Sequence, residues 1–200
     1  MKLLFNPASP FARKVRVVAA EKGLLPQLEL SAVNPWTEPH AVTPHNPLGK
    51  IPVLVLDSGE TLFDSPVICE YLDAAAPPAS LLPPAGQERR SVLRRQALAD
   101  GILDAAVLIV AEQRRPPAQR SEEMLTRYKN VIGRGLTQCE REVGELDGAF
   151  NLGAIAVACA VGYVEFRLGP FGVAVEHPKL LEWWAAVRVR SSLRSTKPSL

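Results

Sequence analysis

Cysteine is scarce in this chain, long apolar runs are missing, and neither sign of charge predominates. The three cysteines, Cys69, Cys139 and Cys159, stand singly among 200 residues. An odd set without paired spacing excludes a secreted disulfide scaffold and a zinc site. The apolar stretch from Ala154 to Val164 has eleven residues, short of the roughly 20 that a membrane-spanning helix needs. The first residues carry one lysine and then Pro7, Ser9 and Pro10, with no apolar signal core, which makes the cytoplasm the default compartment. Against 23 basic residues stand 21 acidic ones, a net charge of +2. That balance excludes a dedicated nucleic-acid binder, whose affinity rests on clustered phosphate neutralisation.

What is present reads as a globular protein. The composition is 47% hydrophobic and 22% charged, near the average for folded domains. A chain of this length buries roughly 70% of its unfolded surface. Residues 1–85 hold six basic and eight acidic side chains, so the mild positive excess lies in the remainder. No internal repeat is visible.

Lys2 to Phe5 is a short apolar run ending at Asn6-Pro7, a buried strand meeting a turn. Ser9-Pro10 opens a helix, with serine as cap and proline at the first helical position. Phe11, Val15, Val18 and Ala19 form its apolar face, and Lys22-Gly23 stops it. Gln27 to Ala32 alternates like a strand, with Leu28 and Leu30 on one face. A loop rich in proline and histidine runs from Asn34 to Asn46. Pro52 to Leu56 and Thr61 to Phe63 are strands around the turn Asp57-Ser58-Gly59-Glu60. Asp64-Ser65-Pro66 starts a second helix, to about Ala76, with Ser65 as its cap.

This is the thioredoxin-like order of strands and helices, and it predicts a first domain over 1–76. Residues 77–86 contain four prolines within eight positions and read as a linker, because proline lacks a donor N–H and opposes helix. Residues 87–200 read as an all-helical domain, making the fold class α/β plus all-α. Leu93, Ala97, Leu98, Ile102, Ala105, Ala106 and Ile109 mark one long amphipathic helix, ended near Pro116-Pro117. Ser121 starts the next, to about Leu146, weakened by Gly133, Gly135 and Gly144 at about 1 kcal/mol each. Asn151 to Arg167 is apolar nearly all round and belongs at the domain's centre. Pro178 to Val189 is the last helix, followed by a basic tail that reads as a solvated end.

Three segments could carry chemistry. Ser9 stands where a thioredoxin-like redox protein places its Cys-x-x-Cys, so dithiol exchange there is excluded. Its hydroxyl is either an N-cap or a hydrogen-bond donor to a bound thiolate, helped by the positive end of the helix. Next comes Asn46-Pro47-Leu48-Gly49-Lys50-Ile51-Pro52-Val53-Leu54. A cis bond before Pro52 would turn the backbone groups of Ile51 outward to pair with an extended peptide. Lys50 is either a solvated side chain or a partner for a ligand carboxylate. Third, at Asp64-Ser65-Pro66-Val67-Ile68 a helix N-terminus can bind a carboxylate while the acid holds an ammonium. An α-amino acid head needs both.

Ser-Pro-Phe-Ala-Arg-Lys-Val-Arg and these two segments resemble, in order and spacing, the N-domain motifs of bacterial glutathione S-transferases. The second domain is similar too, over Arg94 to Ala106 and Ile155 to Arg167. The resemblance implies Ser9 facing the glutathione sulfur and Ile51 pairing with the cysteinyl part, ahead of a cis Pro52. Asp64 and Ser65 would hold the γ-glutamyl head, and Lys50 would lie near the glycyl carboxylate. An electrophile pocket would lie between Ser9–Phe11 and the long helix, with Asp104 and Leu108 as walls; Asp104 reads equally as a solvated or helix-paired acid. A homodimer is implied, through the loop around Phe63 and the face of the long helix. No metal and no cofactor beyond glutathione as co-substrate is called for.

Two departures from the family pattern stand out. The family's capping box Ser/Thr-x-x-Asp is here Asn151-Leu152-Gly153-Ala154, in which Ala154 returns no bond and Gly153 adds flexibility. That predicts a less stable second domain, which Ala154→Asp would strengthen. The last helix also ends without the usual proline after Arg188, leaving the tail's path open. Three functions fit: a transferase that activates glutathione toward a small electrophile, a non-catalytic glutathione-binding module, and a glutathione-dependent thiol oxidoreductase.

Overall fold

A computed structural model describes residues 1–76, 80–146, 148–169 and 177–199. The chain divides into two units, Met1–Pro84 together with Arg190–Leu200, and Ala85–Val189. The all-helical domain expected over 87–200 therefore gives up its last residues to the first unit. Of the expected linker over 77–86, residues 77–79 lie outside the described residues.

The first unit is built on strands β1 (Lys2–Phe5), β2 (Glu29–Ala32), β3 (Val53–Val55) and β4 (Thr61–Leu62), in the order β2-β1-β3-β4. β1 runs parallel to β2 and antiparallel to β3, and β3 is antiparallel to β4. A parallel neighbour needs a crossover, which helix α1 (Pro10–Glu21) supplies. Helix α2 (Ser65–Ala75) follows β4 and packs on α1. Side chains alternate across the sheet. Leu3 and Leu54, partners in the ladder, are fully buried, while Leu4 and Val53 on the opposite face cluster with Val42 from the loop. Val33 and Ile51 pack against that cluster.

Local signals fix both ends of α1. Ser9 Oγ accepts from Ala12 N–H at 3.2 Å. At the other end Gly23 takes φ +68°, and Leu24 N–H donates to Ala19 at 2.7 Å, a left-handed C-terminal cap. β2 departs from the expected pattern. A 3₁₀ turn over Leu25–Gln27 precedes it, so Leu28 is buried ahead of the strand while Leu30 is 41% exposed. Leu30 pairs with Leu3, but β2 is the sheet's edge.

The end of the proline-rich stretch is anchored. Buried Asp73, near the end of α2, accepts from Ser80 Oγ at 2.7 Å, Leu81 N–H at 2.8 Å and Leu82 N–H at 3.0 Å. Lys22 Nζ lies 3.0 Å from the same carboxylate.

In the second unit α3 (Gly86–Gln113) packs most extensively on α6 (Leu152–Leu168) and next on α4 (Glu122–Arg141). The buried stripe of α3 runs through Val92, Arg95, Gln96, Ala99, Ile102, Leu103, Ala106 and Ile109. Leu93 and Ala97, expected on that stripe, are exposed. The stripe is rotated because Arg95 is buried as an ion-pair partner of Glu142 and Glu145. Glu142 also takes Arg94 at 2.7 Å and caps α4. The helix expected to reach Leu146 thus breaks there, and a short helix α5 (Val143–Leu146) follows.

α6 is buried from Leu152 to Val164, as its uniform apolarity requires. Asn151 Oδ1 accepts from Ala154 N–H at 3.1 Å, and Asn151 N–H donates to Ala149 O at 2.7 Å. A Cβ on Gly153 would lie 3.0 Å from Val92 O. Gly153 therefore permits close helix packing rather than adding flexibility. Helix α7 (Pro178–Val187) is capped from a distance: Glu140 accepts from Lys179 N–H at 3.2 Å and Leu180 N–H at 2.6 Å. No described helix is long and apolar enough to cross a membrane.

Candidate functional site

Register brings three of the predicted segments to one end of the sheet. Leu4 pairs with Val53, so the chain leaving β1 toward Ser9 lies beside the chain entering β3 from Ile51 and Pro52. Leu54 pairs with Leu62, so the chain leaving β4 toward Asp64 turns away at that same end. The N-termini of α1 and α2 and the Ile51–Pro52 corner therefore border one another.

At the start of α1, Ser9 is half-buried and its N–H donates to Asn6 O at 2.9 Å. Pro10 has no N–H and Ala12 N–H is taken by Ser9 Oγ. Phe11, half-buried, carries the first-turn N–H without a partner among the described residues. The Ser9 hydroxyl accepts in the cap and still has its own proton to donate.

The Ile51–Pro52 peptide bond is cis. Pro52 is buried, and the backbone N–H and C=O of Ile51 take no backbone partner among the described residues. Lys50 is exposed, and its ammonium pairs with no acid among the described residues. The corner is held by Asn46, which is 2% exposed. Its Oδ1 accepts from Leu48 N–H at 3.0 Å and its Nδ2 donates to Lys50 O at 2.8 Å. Gly49, at φ +63°, lets the turn close.

α2 begins one residue earlier than expected. Asp64, not Ser65, holds the cap position, and its exposed side chain makes no cap hydrogen bond. Ser65 is the first helical residue and is buried. Pro66 lacks an N–H, so the N–H groups of Ser65 and Val67 point out of the helix start without a backbone partner among the described residues. The Phe63–Asp64 bond is also cis. Asp104 and Leu108, the two residues drawn from the long helix, lie one turn apart on the exposed side of α3.

The sequence reading missed two organisers of this site. Asn46 stood inside a quoted motif, and Asn-Pro-x-Gly is itself a turn signature that would have singled it out. Asn6 accepts from Ala8 N–H at 3.0 Å and donates to Val33 O at 3.2 Å. It thereby ties the segment before Ser9 to the end of β2, a link that only the fold reveals. No group of three His, Cys, Asp or Glu side chains among the described residues could hold a metal. All three cysteines are buried, and burial first, then Glu142, pushes the Cys139 thiol up to about 12 against an opposing effect of Arg94.

Unpaired N–H groups at two helix starts, an unpaired extended residue, one ammonium and one carboxylate suit a short zwitterionic peptide. The family described as Glutathione S-transferase, N-terminal domain, matches residues 8–75. An uncharacterised GST-like protein of Escherichia coli K12, YibF, is 40% identical over 203 residues, 99% of this chain and 98% of that protein. A glutathione transferase family member from Pseudomonas fluorescens Pf-5, solved with bound glutathione, matches at TM-score 0.96 and 40% identity over 100% of this chain and 99% of its own. A glutathione S-transferase from Methylobacillus flagellatus KT, solved with GSH bound, matches at TM-score 0.92 and 41% identity over 99% of both chains. In sequence along nearly its whole length, and in a thioredoxin-like unit joined to a helical one, this chain belongs to the glutathione S-transferase family.

Proposed function

We propose that the protein binds glutathione and activates its thiol for attack on a small electrophile. The observation that carries this reading is Ser9 at the α1 N-terminus, with its proton and the Phe11 N–H both available to a sulfur. Lowering a thiol pKa by about two units needs roughly 2.7 kcal/mol. A charge-assisted hydrogen bond together with a helix terminus supplies that. The free backbone groups of Ile51 pair with the cysteinyl residue, and the exposed Lys50 receives the glycyl carboxylate. Ser65 N–H and hydroxyl bind the γ-glutamyl carboxylate at the start of α2, while Asp64 takes its ammonium. On α3, Asp104 and Leu108 offer an acid and an apolar side chain for the electrophile. A cytoplasmic homodimer is the working form in this reading, and exposed Val67 and Tyr71, one turn apart on α2, are available as apolar contacts.

One observation favours a second reading. Ser9 Oγ is already employed as a helix cap, which suffices to explain the serine in a glutathione-binding module without catalysis. The oxidoreductase reading draws no support, since Cys69, Cys139 and Cys159 are all buried and the α1 start carries Ser9 instead of a cysteine.

Titrating glutathione while following thiolate ultraviolet absorbance across pH separates the two. Transferase function requires saturable binding with a depressed thiol pKa that reverts in Ser9→Ala and persists in Ser9→Thr. Binding with an unshifted thiol assigns the hydroxyl to the cap alone. No binding removes the proposal.

A further inference from the structure

α1, which presents Ser9, is gripped by the far end of the chain. Near its last turn, Glu21 receives Arg190 Nη2 at 2.9 Å, Arg190 Nε at 3.2 Å and Ser192 Oγ at 2.5 Å. One turn beyond Ser9, Arg13 is only 5% exposed, and its guanidinium donates to Leu193 O at 3.2 Å. Arg13 N–H in turn donates to Ser9 O at 3.0 Å. The two grips lie eight residues apart along α1, about 12 Å at helical rise.

Between the grips runs a five-residue helix, Ser191–Ser195, too short to persist without packing. Leu193 is 1% exposed and Thr196 0%, and Thr196 Oγ1 donates to Ser192 O at 2.7 Å. The segment is thus folded against α1 rather than trailing in solvent. A buried guanidinium is costly to desolvate and is retained where it fixes one arrangement. Bidentate arginine–carboxylate pairing adds directional definition at the other grip.

We propose that Arg190–Thr196 is a strap that sets the orientation of α1, making Arg13 and Glu21 positioning residues for Ser9. The proposal rests on the reading of Ser9 as the group that stabilises the glutathione thiolate. Glu21 lies 12 residues along the helix from Ser9, about 18 Å and beyond a Debye length of about 8 Å. Its effect on a bound thiol is therefore mechanical, not a direct charge effect. Arg13 is nearer, and Arg13→Lys keeps its charge while losing the fork.

The test is a glutathione titration on the full-length protein bearing Glu21→Ala or Arg13→Lys, each alone and combined with Ser9→Ala. Deleting the strap outright would uncover the site of Leu193, so point substitutions are used. The strap predicts glutathione affinity within about threefold of wild type and a bound-thiol pKa raised by about half a unit or more. In the Ser9→Ala background neither change should raise it further, since the pathway runs through the hydroxyl. An unchanged thiol pKa, or an equal rise with and without the hydroxyl, overturns the proposal.

If wild type binds no glutathione, the function proposed above fails, and amide exchange decides the strap separately. Glu21→Ala should then speed exchange at Ala12 and Arg13, whose N–H groups bond Ser9, by about tenfold. Unchanged exchange there would show that the strap does not hold the start of α1.

Discussion

A Cβ on Gly135 would fall 2.5 Å from Cγ1 and 2.8 Å from Cδ1 of Ile102, so α4 meets α3 at a point where no side chain fits. Gly133, two residues earlier on the same helix, meets nothing within 4 Å. The two glycines look alike in sequence and are opposite in physics. Gly133→Ala should raise stability by up to about 1 kcal/mol through helix propensity. Gly135→Ala should lower it by about 1–3 kcal/mol through overpacking. Urea melts of the two variants check this, and equal shifts of the same sign would refute it.

The structure reverses the sign expected for Ala154→Asp. The bond that a capping-box acid would accept, from the N–H of the cap residue, is already made by Asn151 to Ala149 O. Ala154 is 1% exposed, so an aspartate there buries a carboxylate whose natural donor is occupied. The variant should melt lower by about 2–4 kcal/mol. A melt at or above wild type would show that the capping box can still form.

Asp73 sets an acid limit on the first unit. Burial alone would raise its carboxyl, but hydrogen bonds from Leu81, Ser80, Lys22 and Leu82 outweigh this and hold it below the usual range. A carboxyl depressed by folding contributes stability that is complete above its unfolded value of about 3.9 and is lost as pH falls through the folded value. Asp73→Asn should cost about 3 kcal/mol at pH 7, because buried Lys22 loses the carboxylate it pairs with. Its melting temperature should then fall less steeply than that of wild type below about pH 4. Parallel acid profiles for the two proteins would reassign the acid sensitivity to another carboxylate.

Asn46 makes both hydrogen bonds that shape the Lys50–Ile51 corner. Asn46→Ala should weaken glutathione binding by about tenfold, in line with roughly 1–3 kcal/mol for buried groups left unpaired. Calorimetric titration reads this directly, and unaltered affinity would mean that the corner holds without it.

Features made by neighbours in sequence were legible before the fold was known. Ser9-Pro10 reads as a cap, Asn151 as another, and the strand and helix order of the first unit follows from periodicity and turn residues. Faces decided by distant partners were not. Leu93 and Ala97 match the apolar spacing of a helix, yet the ion pairs of Arg95 with Glu142 and Glu145 turn α3 away from them. Leu30 matches a strand's inner face, but β2 lies at the sheet's edge. Within the candidate site, the chemistry-bearing residues were named from motifs, whereas Asn6 works through a bond to Val33, 27 residues away. The tail looked solvated because its anchor, Glu21, is 169 residues distant from Arg190.

That distance bears on how the protein is made. The first unit takes strands from one end of the chain and its strap from the other, with Ala85–Val189 between them. A ribosome working from the N-terminus therefore begins this unit first and finishes it last, since domains form as their sequence emerges. Until Leu193 leaves the exit tunnel, Arg13 lacks its carbonyl acceptor, and α1 waits half-assembled although the sequence of the helical unit is already complete.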